Sequence, residues 1–531
     1  MNELNICVLH IPNKFTSKCP PQGLMSIASY LKSKDIDISI LDANIHYINT
    51  DTIKEKSFND FKERKRHIKE FNANVLEFPQ EELEGYFTKN KFDVIITDCH
   101  FTGTADTALK TFKLIKKCLP ESIIITGGIH STLFSDELLK TELVDIVVKG
   151  EGEEVVYNII QTLKQGENLE NVEGIDYRDN SEIKNNPGVG FIKDLNTLAP
   201  ACLVYDDFEI ELYREYIKAV LGPFWYDQDP AGVLVLSRGC IGRCSFCNGR
   251  IIDQGKYRTY SPENTVMQLE YINEKYHPKN FKVYDAMFGA NKKQFRTVCN
   301  FMKDVEIPWG FETRPDLMKS EDIILLKNSY CKYVQYGLES VNLDTLKLNN
   351  KISAKKTDEY LSNAAKIIKE TMDADIIASI SYLFGLPYEK KDIYENTLRF
   401  FKENDLASKK LELFPYVPIT YPGTLMWDII PPEKRCYDWE KYFISTENKI
   451  AENQIVYVNP TFTSDELDYY LENLYNDVIK ESKLTDKDLF MRDIETIIYE
   501  GYDAIESEND EEWFELSIKN TAENYVSKKC E

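Results

Sequence analysis

The chain has 531 residues, 43% of them apolar and 29% charged, which is ample for at least two packed domains and unlike a disordered chain. Its net charge of −24 repels polyanions and argues against a tRNA or DNA substrate, and residues 431–531 carry 25 acidic against 11 basic side chains, a solvated acidic surface. Twelve irregularly spaced cysteines exclude a disulfide framework, no apolar stretch reaches the roughly 18 residues of a spanning helix, and no leader precedes the strand-like Asn5–Leu9, so a cytoplasmic location is expected.

In chain order, residues 1–180 alternate strand and helix in the manner of a doubly wound α/β sheet. Strands are predicted at Ile6–Leu9, Ile38–Leu41, Val94–Thr97, Ile123–Thr126 and Val144–Val148, with helices at Leu24–Lys34, Ala105–Cys118 and Val155–Leu163. The charged stretch Asp51–Asn90 reads as a helical, peripheral insertion. Residues 181–229 read as a linker, loop-rich at Asn180, Asn185, Asn186, Pro187, Gly188 and Gly190.

A second alternation covers 230–430, with strands near Val233 and at Phe281–Tyr284, Trp309–Glu312, Tyr333–Gly337, Ile376–Phe384 and Leu411–Tyr416. Helices are expected at Pro262–Tyr276, Lys292–Met302, Asp322–Lys327, Lys355–Glu370 and Asp392–Asn404, so a partial (β/α)6 barrel is the economical fold. Residues 431–531 are mostly helical in pattern, with a capping box at Thr463-Ser-Asp-Glu466.

The most informative feature is Cys240-Ile-Gly-Arg-Cys244-Ser-Phe246-Cys247, just beyond the apolar, strand-like Gly232–Ser237. The C-x3-C-x2-C spacing supplies three thiolates, and a four-iron cube held by three protein ligands keeps one iron open to a small molecule. A zinc site, or three unrelated buried thiols, is the plainer alternative. Cys7, Cys19, Cys118, Cys202, Cys299, Cys331, Cys436 and Cys530 show no paired spacing of the kind an auxiliary cluster uses.

Small residues recur at strand ends of the first unit: Pro20-Pro-Gln-Gly23-Leu24, the loop Cys99–Thr104 with Thr102, Thr126-Gly127-Gly128-Ile-His130-Ser-Thr132, and Lys149-Gly150-Glu151-Gly152-Glu-Glu154. Glycines there let backbone approach a ligand closely. Singly, each is only a turn.

The cysteine run, with Phe246 before its third cysteine, resembles the radical S-adenosylmethionine (radical SAM) enzymes. The glycine loops ahead of it, Ile40-Leu-Asp-Ala43 and the hairpin segment Val172–Arg178 resemble the cobalamin-binding domain of the cobalamin-dependent branch. The resemblance implies a 4Fe-4S cluster on Cys240, Cys244 and Cys247, SAM on its open iron, and cobalamin against Gly23, Thr102, Gly127, Gly128, His130, Gly150, Glu151 and Gly152. It further implies that Asp285 holds the SAM amine or an adjacent ligand, Arg314 of Glu312-Thr-Arg-Pro-Asp316 the carboxylate, and Glu339 of Gly337-Leu-Glu-Ser340 the amine or ribose. Gly385 of Leu383-Phe-Gly-Leu-Pro387, Tyr416–Pro418 and Tyr421-Pro-Gly-Thr424 would flank adenine. Asp285 and Glu339 also read as members of structural ion pairs.

Asp98-Cys-His100-Phe-Thr-Gly103 spells D-x-H-x-x-G, by which some cobalamin proteins ligate cobalt, but there the motif follows the first strand, where His10-Ile-Pro-Asn13 stands here. The resemblance therefore implies base-off, histidine-off cobalamin with His100 as a pocket residue. The implied activity is methyl transfer to an unactivated carbon, or phosphorus, of a small molecule or peptide through a 5'-deoxyadenosyl radical, with flavodoxin or ferredoxin as electron donor. Radical cyclisation or rearrangement is the alternative within the enzyme class, and a noncatalytic cobalamin- or metal-binding protein the alternative outside it.

Overall fold

The computed structural model describes residues 3–13, 19–47, 78–221, 229–355, 359–442, 450 and 455–480, together with 484 and 519. Strands β1 (Ile6–His10), β2 (Ser39–Asp42), β3 (Val94–Asp98), β4 (Ile123–Gly127), β5 (Ile146–Val148), β6 (Ile175–Asp179) and β7 (Glu182–Asn185) form a seven-stranded sheet in the order 2-1-3-4-5-6-7. The first five strands are parallel. Such strands are covered by helices on both faces, which is why they read as continuous apolar runs.

Alternation decides which face each residue serves. Ile6 and Val8 join Leu24, Met25 and Leu31 of helix Gln22–Ser33, while Cys7 and Leu9 pack with Ala108, Phe112 and Ile115 of helix Ala105–Cys118. In the expected insertion, helix Gln80–Lys89 forms and buries Leu83 and Phe87; residues 51–77 lie outside the described residues. The loop-rich linker expected after residue 180 is corrected. Asn180 stands in a tight turn with φ +54, and Glu182–Asn185 adds an antiparallel strand beside β6, so the sheet extends to Asn185. Farther along the same connector, Ile210–Leu221 is a helix.

The second sheet holds β8 (Val233–Leu234), β11 (Phe281–Val283), β12 (Trp309–Thr313), β13 (Cys331–Glu339), β14 (Ile377–Leu383) and β15 (Leu411–Tyr416), all parallel and in the order 15-14-13-12-11-8. That is an open, six-stranded partial barrel with consecutive strands adjacent, as the alternation predicts. The single strand expected over Gly232–Ser237 is divided: β8 pairs with β11, whereas β9 (Ser237–Arg238) turns away to pair antiparallel with β10 (Arg258–Thr259). Helix Pro262–Tyr276 starts where Ser261 caps the Asn264 amide at 3.2 Å. The expected helix at Lys355–Glu370 runs over Glu359–Asp373 among the described residues.

In the carboxyl-terminal region the capping box forms. The Thr463 amide donates to Glu466 Oε2 at 2.8 Å and the Glu466 amide to Thr463 Oγ1 at 3.3 Å, opening helix Ser464–Lys480. The rest of the helical pattern expected beyond Lys480 lies outside the described residues, apart from 484 and 519. No helix among the described residues is long and apolar enough to cross a membrane.

The carboxyl ends of β13 and β14 are tied together by Glu389, which is 1% exposed. Its oxygens accept from Ser340 Oγ at 3.0 Å and from the Gly385 amide at 2.7 Å. Burial pushes this carboxyl up from 4.5 to about 8, against those hydrogen bonds. Between these two values the fold holds a proton that the unfolded chain has released, so the associated stability is full at acid pH and is lost as pH rises through about 8. Glu389→Gln mimics the protonated acid and should flatten part of the fall in melting temperature from about pH 5 to about pH 8. Parallel melting curves for both proteins would refute the assignment.

Candidate functional site

The cysteine loop leaves the barrel at the carboxyl end of β8 through Gly239. Here φ is +90, and a Cβ would lie 2.0 Å from the Lys256 carbonyl oxygen, so only glycine fits. The loop is pinned from several directions. The Cys240 amide donates to Asp253 Oδ2 at 3.2 Å, the Ser245 amide to the Asn349 carbonyl at 2.9 Å, and the Met426 amide to the Ser245 carbonyl at 2.9 Å.

Gly242 lies between the first two thiols. A Cβ there would stand 3.2 Å from Cys240 Sγ, 3.8 Å from Cys244 Sγ and 3.9 Å from Arg314 Nη1, while a Cβ on Gly249 would stand 3.6 Å from Cys247 Sγ. The Gly242 amide donates to Cys240 Sγ at 3.3 Å. Burial raises the Cys244 thiol, and Lys351 and Arg314 oppose that rise. Among the described residues, no three such side chains converge on one metal ion. Soft sulfur donors spread around a glycine-walled hollow fit a polynuclear iron-sulfur cluster, in which thiolates bind separate irons. Phe246 is half-buried beside them.

Four predicted positions gather at the adjoining strand ends. Arg314 follows β12 and is already engaged bidentately, donating from Nε and Nη2 to Asp316 at 2.9 and 3.1 Å. Glu339 ends β13 at φ +68 and pairs with the buried Lys351 at 3.0 Å. Gly337 makes room for that pair, since a Cβ would lie 2.7 Å from Glu339 Oε1 and 3.0 Å from Lys351 Nζ. Gly385, at φ +78, is held by its amide to the Glu389 carboxyl group. Asp285 acts here as a brace: it is 2% exposed, and its two oxygens accept from the Leu236 amide at 2.7 Å and from Ser237 Oγ at 2.6 Å. Burial pushes it up to about 7. These bonds hold the chain where it departs from β8 into β9.

Between the two sheets lies a cavity of about 590 Å³. Its wall includes Gly23, Gly127, Gly128, Gly150, Glu151 and Gly152 from one unit, and Arg238, Gly239, Gly249 and Asp253 beside the cysteine loop from the other. Gly128 has φ +108 and would place a Cβ 2.6 Å from His100 Cα, so the loops after β3 and β4 touch backbone to backbone. Asp98 Oδ1 and Glu153 Oε2, on residues that line the cavity, are buried acceptors without partners among the described residues. A large ligand edged with amide N–H groups, as cobalamin is, would satisfy them.

Three expected cobalamin residues have other neighbours in this structure. His130 does not line this cavity; it is 1% exposed, packs against Phe134 and Trp439 at ring separations of 4.8 and 5.4 Å, and is pushed down to about 4 by burial. Thr102 is 4% exposed within the turn Thr102–Thr104, while its neighbours His100, Phe101 and Thr104 line the wall. Glu151 does line the wall, but its carboxylate is engaged by Arg238 at 3.2 Å, Arg258 at 2.7 Å and the Ile192 amide at 2.6 Å.

Arg238 also donates to Glu153 at 2.6 Å and to Ser26 Oγ at 2.9 Å. Burial disfavours the charge of Glu153, yet Arg238 holds its carboxyl below the usual range. Sequence reading missed this network, Lys351, Glu389 and a dyad on the cavity wall, where His10 Nδ1 meets Asp42 Oδ1 at 2.8 Å and Tyr213 donates to Asp42 Oδ2 at 2.7 Å. Only Glu389 carried a local signal, an acid two residues past Gly-Leu-Pro at a strand end.

Comparison with known proteins agrees with this two-part site. The B12 binding domain model matches residues 11–160 and the Radical SAM superfamily model residues 234–401. An uncharacterized methyltransferase of Pyrococcus horikoshii is 25% identical over 75% of this chain and 82% of its own. The anaerobic magnesium-protoporphyrin IX monomethyl ester cyclase of Cereibacter sphaeroides is 25% identical over 66% of this chain and 55% of its own. Among solved structures, the radical SAM methyltransferase TsrM of Kitasatospora setae, with cobalamin and a [4Fe-4S] cluster bound, superposes with a TM-score of 0.66 over 99% of this chain and 100% of its own, at 13% identity. With both domains present in this order, the chain belongs to the radical SAM enzymes that carry an amino-terminal cobalamin-binding domain.

Proposed function

We propose that the chain is a cobalamin-dependent radical SAM methyltransferase acting on an unactivated carbon, or phosphorus, of a small molecule or peptide. The observation that carries this reading is the cavity shared by the glycine loops and by Arg238, Gly239, Gly249 and Asp253, which brings whatever fills it against the cysteine loop. The names of the Pyrococcus and Kitasatospora proteins support the transfer of a methyl group. In this reading the first unit extends to Asn185, a connector joins it to the partial barrel at about 230–430, and the acidic region lies beyond.

Bound in these sites, the cluster, SAM and cobalamin would supply an electron source, a 5'-deoxyadenosyl radical precursor and a methyl carrier. The protein's own contribution is placement. Cys240, Cys244 and Cys247 hold the cluster, and Arg314 and Lys351 offset the negative charge gathered on the thiolates. Glu339, freed from or sharing Lys351, and Arg314 are the groups that would hold a SAM methionine moiety. His100 and His10 line the cavity that would hold cobalamin, and Asp42 holds His10 through Nδ1. Closure of the mouth by the first unit keeps water and adventitious hydrogen donors from a radical. A flavodoxin- or ferredoxin-type reductant and a reduced cell interior complete the reading.

Cys244→Ala should lower bound iron from about four per chain, the content of the cube, and bring anaerobic SAM cleavage to background. Cleavage at the wild-type rate would overturn the cluster assignment. Gly128→Ala should force the His100 backbone away at about 1–3 kcal/mol, which weakens cobalamin uptake about ten- to hundredfold while iron content is unchanged. Unchanged uptake would remove the glycine loop from the cobalamin site. Deoxyadenosine formed without label transfer from methyl-labelled SAM would instead favour ring formation, the activity named for the Cereibacter relative.

A further inference from the structure

The concave face of the partial barrel carries a continuous polar row where a closed barrel would stack branched apolar side chains. By register, Glu312 of β12 pairs with Gln335 of β13, Gln335 with Ser379 of β14, and Ser379 with Glu412 of β15. Their sequence neighbours Phe311, Val334, Tyr336, Ala378, Ile380 and Leu411 belong to the hydrophobic core on the opposite, helix-covered face. One step nearer the mouth, the next row runs Gly337, Ser381, Phe414. Arg314 and the Glu339–Lys351 pair lie beyond it, so the polar row sits directly beneath the groups that surround the cysteines.

Two members of the row lack partners among the described residues. Ser379 is 0% exposed, yet its Oγ has no hydrogen-bond partner. Among the described residues, no hydrogen bond or ion pair engages the Glu312 carboxylate, which burial raises and Lys282 opposes. Lys282 itself lies 4.0 Å from the Tyr333 ring centre and is held against that ring face. Above the row, Phe414 and Tyr416 expose 40% and 51% of their surface, and the Tyr416 phenol is raised by burial and by the nearby Glu312 charge.

A half-buried carboxylate without a partner favours a cation, and aromatic faces favour the same charge. The net charge of −24 draws cations toward the molecule. Resting on the transferase reading, we propose that this row is the floor of the substrate site and that Glu312 binds a protonated nitrogen of the substrate. Gln335, whose Oε1 accepts from the Tyr333 hydroxyl at 3.0 Å, borders the same polar head, and the body of the substrate lies against Phe414 and Tyr416. The substrate class is an amine-bearing small molecule with a flat or apolar body.

The test incubates the reconstituted enzyme anaerobically with methyl-labelled SAM and a small-molecule extract of the source cells, then separates labelled products from SAM by cation exchange at strongly acidic pH, where carboxyl groups are protonated and an amine keeps its positive charge. Label in a retained, cationic product is expected; label confined to neutral or anionic products overturns the inference while leaving the transferase reading intact. Label that never leaves SAM overturns that reading, and this one with it. With the labelled acceptor purified, Glu312→Gln should raise its KM about tenfold or more, the loss of a charge-assisted hydrogen bond, with a smaller effect on kcat. Iron content and cobalamin uptake report whether the variant folds, and an unchanged KM in a folded variant overturns the role of Glu312. Should that variant not fold, the charge of the wild-type product alone decides.

Discussion

Arg238 stands two residues before Cys240 and reaches across to Glu153 and Glu151 in the other unit. Its side chain is 20% exposed and theirs are 3% exposed. Carboxylates this deep must be paired, because removing one partner of a buried pair costs about 3–5 kcal/mol. The network therefore sets how the strand leading into the cysteine loop sits against the glycine loops. Arg258 and the Ile192 amide add to the coordination of Glu151, and Ser26 adds a second donor to Glu153 Oε1. At this edge of the cavity the boundary is fixed by charge, while buried apolar residues of both units join one core elsewhere.

A second constraint acts at the barrel mouth. Parallel strands deliver their carboxyl ends to one rim, and each end here carries a group that another strand end needs. Asp285 beyond β11 holds the turn beyond β8, Glu389 beyond β14 holds Ser340 beyond β13, and Lys351 meets Glu339. These contacts are buried, so they rigidify the rim on which the cysteine loop rests. Glycines at 239, 242 and 337 supply the space that those close approaches require. The open side of the partial barrel leaves its concave face polar, since no ring of strands closes to fill it.

Much of the architecture was legible because its signals are local. Helix Ala105–Cys118, helix Pro262–Tyr276 and strand Leu411–Tyr416 stand at the residues their periodicity predicts. The capping box at Thr463 and Glu466 is chemistry within four residues and forms as read. The strand Glu182–Asn185 was hidden because an exposed hairpin edge has no apolar alternation to announce it: its four positions run exposed, half-buried, half-buried, exposed. The division of Gly232–Ser237 was hidden because it depends on the Asp285 carboxylate, 48 residues away from Ser237.

What the sequence determined by itself was the order of the two units, the parallel strand-helix alternation of each, and the three-thiol loop at the end of β8. Each stems from spacing along the chain, which survives without knowledge of the partner across the sheet. What only the tertiary structure decided was the employment of the polar side chains: Asp285 as a brace, Glu151 inside an arginine network, His130 against Trp439 rather than in the cavity, and Lys351 beside Glu339. A carboxylate or imidazole looks the same in the sequence whether it faces a ligand or a neighbouring residue. Its role is set by which opposite charge, donor or ring the fold brings within a few ångströms, and that is a property of the packed chain alone.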